Sequence, residues 1–176
     1  GSAVTNTTIK EIHIARGTYY PTGAQNNPYR DSSFVISRSG LKLLGGFPTG
    51  GGARDYKGNP TLLSGDLSLP NDTVDNSFHV MVSTNVPAGN DSLIVDGITF
   101  TKGNASNPNS TTVIGLFIGQ YIGGGMVISQ VSDNTVIRNC TIKDNYGIFG
   151  AGMIVAGGID FNNQQFLQAT PTISHC

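Results

Sequence analysis

Tryptophan is absent from these 176 residues, cysteine occurs twice, glutamate once, and charged residues make up only 12% of the chain. Each shortage excludes something. Two cysteines, Cys140 and Cys176, are too few for a disulfide-dense miniprotein or a cysteine-type zinc site, so stability has to come from packing and hydrogen-bonded ladders. Ten basic and eleven acidic residues nearly cancel and no Lys/Arg run occurs, which leaves no electrostatic footprint for nucleic acid or an anionic membrane. The longest apolar stretches, Thr112–Ile118 and Met153–Ala156, are broken by Gly or polar residues far short of the roughly 20 needed to span a bilayer as a helix, so no direct membrane insertion is expected. Gly1-Ser2 reads as a cloning scar. The remaining 3–176 is ample for one hydrophobic core and short for two, hence a single domain.

What the chain does have is glycine, 24 in all, and short β-branched or aromatic runs closed by Gly, Pro, Asn or Asp. Ile9–Ile14, Ser33–Ile36, Ser77–Val82 and Ser92–Val95 are strands by this reading. Almost no dozen-residue window carries an amphipathic helical stripe free of Gly and Pro; Phe161–Ala169 is the best helix candidate and is short.

Internal repetition decides among the all-β architectures. Val95–Gly103 aligns with Ile137–Asn145 and with the terminal Ile173–Cys176. One column is aliphatic (Val95, Ile137, Ile173), the next polar (Asp96, Arg138, Ser174), the third Gly97, Asn139 and His175, and the fourth apolar or thiol (Ile98, Cys140, Cys176). Phe100 then matches Ile142, and Gly103 matches Asn145. Gly, Asn and His tolerate the left-handed backbone region, so the third column predicts a bend that turns the residues two before and one after it to the same side. A second element, Gly123–Ile128 against Gly150–Val155, repeats at an offset of 27 residues. The expected fold is an all-β, single-stranded, right-handed parallel β-helix (a solenoid), with the loops Gly103–Thr112 and Asp160–Thr170 projecting as natural places for a binding surface.

Gly17–Thr22 (GTYYPT), Ser33–Pro48 (SFVISRSGLKLLGGFP), Asn59–Leu67 (NPTLLSGDL) and Asp75–Met81 (DNSFHVM) resemble the amino-terminal part of large Bacteroidetes-type surface proteins with pectin-lyase-like β-helices. The later LIVDGITFTKGNA, GGGM and NCTIKDN segments are similar to their repeats and, more distantly, to those of polymorphic outer-membrane autotransporters. The resemblance covers nearly the whole chain from Ile9. It implies a secreted or bacterial cell-surface protein whose coils continue beyond Cys176; the repeat register, cut off mid-repeat, gives the same expectation of a fragment holding the amino-terminal coils of a longer stack. β-Helices of this kind include adhesins, lyases and hydrolases, so fold alone does not choose an activity.

Candidate chemistry is sparse. The cysteines share a column and read as a stacked thiol pair, a geometry poorly suited to a disulfide. Asp66, Asp72 and Asp75 cluster in a turn-rich stretch; they read as turn caps, or alternatively as a Ca²⁺ site, the one cofactor the sequence suggests. A glycan-cleaving site needs a carboxylate pair or a base beside acidic ligands. The chain has no Asp-Asp pair, and His13, His79 and His175 lack flanking glycines. His13 is expected to face away from Ile12 and Ile14. Gly50–Gly52 and Gly123–Gly125 lack the Lys-Ser/Thr of a phosphate loop and read as close-packed or flexible turns. Tyr19, Tyr20, Tyr29, Tyr56 and Tyr121 fall in loops or strand ends, where exposed rings stack on sugars. No catalytic residue is assigned. The expected function is a non-catalytic surface module, an adhesin, glycan-binding or stalk segment contacting a polysaccharide or a host glycan or protein. The alternative is a fragment of a polysaccharide lyase or glycoside hydrolase acting on acidic polysaccharides.

Overall fold

The computed structural model describes residues 6–21, 29–70, 72–86, 91–131, 134–160 and 165–176. Strand dominates them, and no α-helix occurs among the described residues. Three parallel sheets carry the architecture. The first orders β1 (Glu11–Ala15), β4 (Leu41–Phe47), β7 (Leu93–Asp96), β13 (Thr135–Arg138) and β19 (Thr172–Ser174) side by side. The second holds β2 (Gly17–Tyr19), β5 (Thr61–Ser64), β8 (Ile98–Thr101) and β14 (Thr141–Lys143). The third holds β3 (Phe34–Ile36), β6 (Met81–Val86), β12 (Met126–Val131) and β16 (Met153–Ala156). The chain enters them in a fixed order, first, second, third, and then returns to the first. A short parallel pair joins β9 (Asn104–Ala105) to β15 (Tyr146–Gly147). Two antiparallel hairpins complete the set: β10 (Ser110–Val113) with β11 (Leu116–Gly119), and β17 (Gly158–Asp160) with β18 (Gln165–Leu167).

The registers are those the repeat alignment predicts. Val95 pairs with Ile137 and Ile137 with Ile173, while Leu43 and Ile12 extend the column on the other side. Met126 pairs with Met153 and Ile128 with Val155; Phe100 pairs with Ile142. The bend column is also present: Gly97, Asn139 and His175 have φ of 70°, 52° and 53°. Because each bend reverses the alternation of side chains, Val95, Ile98 and Phe100 all reach the core and are no more than 1% exposed. Two further ranks of left-handed residues, Asn85 beside Gln130 and Lys102 beside Asp144, repeat the device at other corners.

The core draws on all three sheets, with Leu41, Val95 and Ile137 from the first, Leu63 and Phe100 from the second, and Met81, Met126 and Ile128 from the third. A second cluster lies on the other face of the third sheet, where Val82 and Val127 pack against Val113 and Ile118 of the β10–β11 hairpin. The apolar run at 112–118 is therefore a cover for that sheet. The polar column is held by Asp96, 1% exposed, which accepts hydrogen bonds from Arg54 Nη2 (2.7 Å), Arg138 Nε (2.7 Å) and Asn139 Nδ2 (2.9 Å). Burial disfavours the Asp96 charge, but the bonds from Arg54, Asn139 and Arg138 outweigh it and hold the carboxyl below its ordinary range.

Several local readings shift. Ser77–Val80 is irregular instead of extending β6, because its amides bond in turn to Gly65, Arg30 and Gly124 carbonyls rather than to one neighbouring strand. Within the helix candidate, Phe161–Gln164 lie outside the described residues and Gln165–Leu167 is a strand. The two glycine triplets differ in kind. A Cβ on Gly124 would lie 2.0 Å from the Tyr146 carbonyl oxygen, so this triplet is close-packed, whereas Gly50 and Gly51 face open space with φ near 90° and form a turn. His13 is exposed, as expected, and stacks on Phe47 at 4.2 Å.

Candidate binding cleft

The segment before β3, the irregular Ser77–Val80 stretch and the loop leading into the β10–β11 hairpin converge on a cleft of about 640 Å³. Its position follows from the hydrogen bonds of the chain that encloses it. Phe78 N–H donates to the Arg30 carbonyl, Asn107 N–H to the Gln120 carbonyl, and Gln120 N–H to the Asn109 carbonyl. Asn107 Oδ1 caps the turn by accepting from Asn109 N–H at 3.1 Å.

Arg30 forms the inner wall. Its guanidinium lies 4.1 Å from the centroid of the buried Phe78 ring, and it donates from Nε to the Asn76 carbonyl (2.7 Å) and from Nη2 to the Asn104 carbonyl (2.8 Å) and Ser106 Oγ (3.3 Å). Burial draws the Arg30 pKa down from its ordinary value, opposed by the charges of Asp75 and Asp31. It remains a cation at neutral pH. Asp31, also in the lining, is exposed, and its Oδ1 accepts from Gln120 Nε2 at 2.6 Å. Gln120 is only 6% exposed, so its amide is fixed in place. Tyr29 occupies the rim with 73% of its surface open. The arrangement presents one exposed ring beside amides, a hydroxyl (Ser110) and one carboxylate, a set that binds through stacking and hydrogen bonds.

Of the five tyrosines singled out by sequence, only Tyr29 lines this cleft. Tyr19 donates its hydroxyl to the Ala15 carbonyl at 3.1 Å, and Tyr20 is half-buried just after β2. Tyr121 meets Phe149 edge-on at 6.3 Å. Tyr56 sits beneath Arg54 and Lys57 and walls a separate groove of about 550 Å³ that also includes Asn139, Thr141 and His175. In that groove the amide of Asn139 is committed to Asp96.

The aspartates behave mainly as turn residues. Asp72 Oδ1 accepts from Val74 N–H (2.9 Å) and Asp75 Oδ2 from Leu69 N–H (2.7 Å), while Asp66 is half-buried with its own N–H on Ser64 Oγ. Among the described residues no group of three or more His, Cys, Asp or Glu side chains is gathered for a metal ion. Cys140 is buried and burial pushes its thiol up to about 12, while Cys176 is exposed; both are free.

Sequence reasoning missed Arg30, Asp31 and Gln120. The Asn107-Pro-Asn109-Ser110 stretch falls in a loop that the repeat offsets marked as projecting, and this was the one available signal. No family model, curated protein or solved structure matches the chain significantly.

Proposed function

We propose that the chain is a right-handed parallel β-helix serving as a non-catalytic binding module of a secreted or cell-surface protein, and that it holds a glycan in the Tyr29 cleft. The cyclic order of the three parallel sheets supports the β-helix reading, and parallel crossovers are right-handed in nearly all proteins. The resemblance of the Gly17–Thr22 and Ser33–Pro48 segments to bacterial surface proteins supports the extracellular setting. One observation carries the binding reading: an aromatic ring 73% exposed stands at the edge of a cleft in which the side chains of Asn107, Gln120 and Asp31 are already held by hydrogen bonds. Side chains held in this way reduce the ordering cost of binding. A binding role is favoured over a catalytic one because Asp31 is the one carboxylate of the lining and Arg30 donates to backbone carbonyls, so the lining holds no carboxylate pair for acid–base work.

The test is a glycan array probed with the protein and with Tyr29→Ala. The expected result is a defined set of bound oligosaccharides whose signals fall at least about tenfold in the variant, in line with the loss of an aromatic contact. An array without hits, or hits indifferent to Tyr29→Ala, would refute the assignment of this cleft.

A further inference from the structure

We infer that the cleft selects a neutral, hydroxyl-rich sugar over a uronic acid or other anionic glycan, an inference that rests on the glycan reading above. Arg30 is the cation of the cleft, and the Nε–Nη2 edge that a carboxylate grips side-on already donates to the carbonyls of Asn76 and Asn104 and to Ser106 Oγ. One face of the same guanidinium is covered by Phe78 at 4.1 Å. Asp31 is the other charged side chain of the lining. One positive and one negative group cancel, so an anionic ligand meets no net attraction and no free side-on fork to hold it.

The other lining groups favour hydroxyls. Asn107, Asn109, Gln120 and Ser110 are neutral and offer both donors and acceptors, matching vicinal hydroxyls that do the same. Asp31, held by Gln120 at 2.6 Å, adds a fixed acceptor for a sugar O–H. Tyr29 provides a face for the apolar side of the ring.

Calorimetric titration with neutral hexose oligosaccharides and with uronate oligosaccharides of equal length, on the protein, on Asp31→Asn and on Tyr29→Ala, decides the matter. Neutral oligosaccharides are expected to bind at least about tenfold more tightly than their uronate counterparts, with little dependence on salt. Asp31→Asn should narrow that gap, weakening neutral ligands and strengthening uronates. Asp31 is exposed, and unchanged circular dichroism of the variant will show that the fold persists. Tighter uronate binding that Tyr29→Ala abolishes would overturn the charge argument and leave the cleft standing. Absence of binding by both ligand classes would overturn the cleft reading and this inference with it.

Discussion

At the scale of single residues, the chain places non-glycine residues where the left-handed backbone is required, and the fitness of each for that role differs. Asn139 and Asn85 suit it, because asparagine visits this region at little cost. Ile114 does not. It forms the tip of the β10–β11 hairpin with Gly115, both at positive φ (46° and 76°), the conformation of a two-residue type I′ turn that favours Asn-Gly. A β-branched residue there is strained, and its side chain is half exposed, so it gives little packing in return. Ile114→Asn is expected to raise stability by about 1 kcal/mol, read as a higher urea midpoint at unchanged slope. A lower midpoint would mean that the Ile114 side chain packs more tightly than its exposure indicates. The Asn85 bond to the Ile114 carbonyl (3.0 Å) uses backbone and survives the substitution.

At the scale of elements, each ladder is a column of like side chains whose burial depends on having a neighbour on both sides. Ile137, between Val95 and Ile173, is fully buried, whereas Ile173 on β19 is 39% exposed. Ile137→Ala is accordingly expected to cost about 3 kcal/mol, and Ile173→Ala less than about 1 kcal/mol, in paired urea titrations. Equal losses would contradict the ladder. The irregular Ser77–Val80 element carries a pH dependence. His79 is 1% exposed, with Nδ1 3.3 Å from the Gly123 carbonyl and Nε2 buried without a partner. Burial lowers its pKa, against the opposing pull of the Gly123 and Ile122 carbonyls and Asp31. The unfolded chain takes up a proton near pH 6.5 while the folded chain resists it, so stability should fall as pH drops below about 6.5, by at most about 1.4 kcal/mol per unit. His79→Gln should flatten that slope between about pH 6.5 and 5, and an unchanged slope would assign the effect elsewhere. The columns were legible in sequence because bend and apolar spacing are local: Gly97 with Val95, Ile98 and Phe100 lies within six residues. The hairpin was read only as an apolar run, since nothing local says that Val113 and Ile118 cover Val82 and Val127. The cleft was legible only in its loop, because Asp31 and Gln120 are 89 residues apart and no short pattern encodes their meeting.

At the scale of the whole molecule, the strand pairs of the three large sheets link segments distant in sequence, and each described strand is hydrogen-bonded within its sheet to the one before and the one after it. Stability in such an arrangement is close to a sum of nearest-neighbour terms, so it should be graded and not uniform. The middle strands β6, β7, β12 and β13 have partners on both sides and hold the most deeply buried side chains, among them Met81, Val95, Ile128 and Ile137. At the two ends the balance is different. β1 pairs only with β4 and leaves Ile12 half-buried; β16 and β19 pair only with β12 and β13 and leave Val155 and Ile173 each 39% exposed. Native-state hydrogen exchange should therefore show amides of β7 and β12 protected at least about a hundredfold more than those of β19, equivalent to roughly 2.7 kcal/mol between local and deeper opening. Within the same experiment β10 and β11 should fall between these limits, since the hairpin is held by its packing on Val82 and Val127 and not by a place in a large sheet. Equal protection from β1 to β19 would show that the ladders open as one cooperative unit, and the picture of graded, separable strand pairs would have to be abandoned.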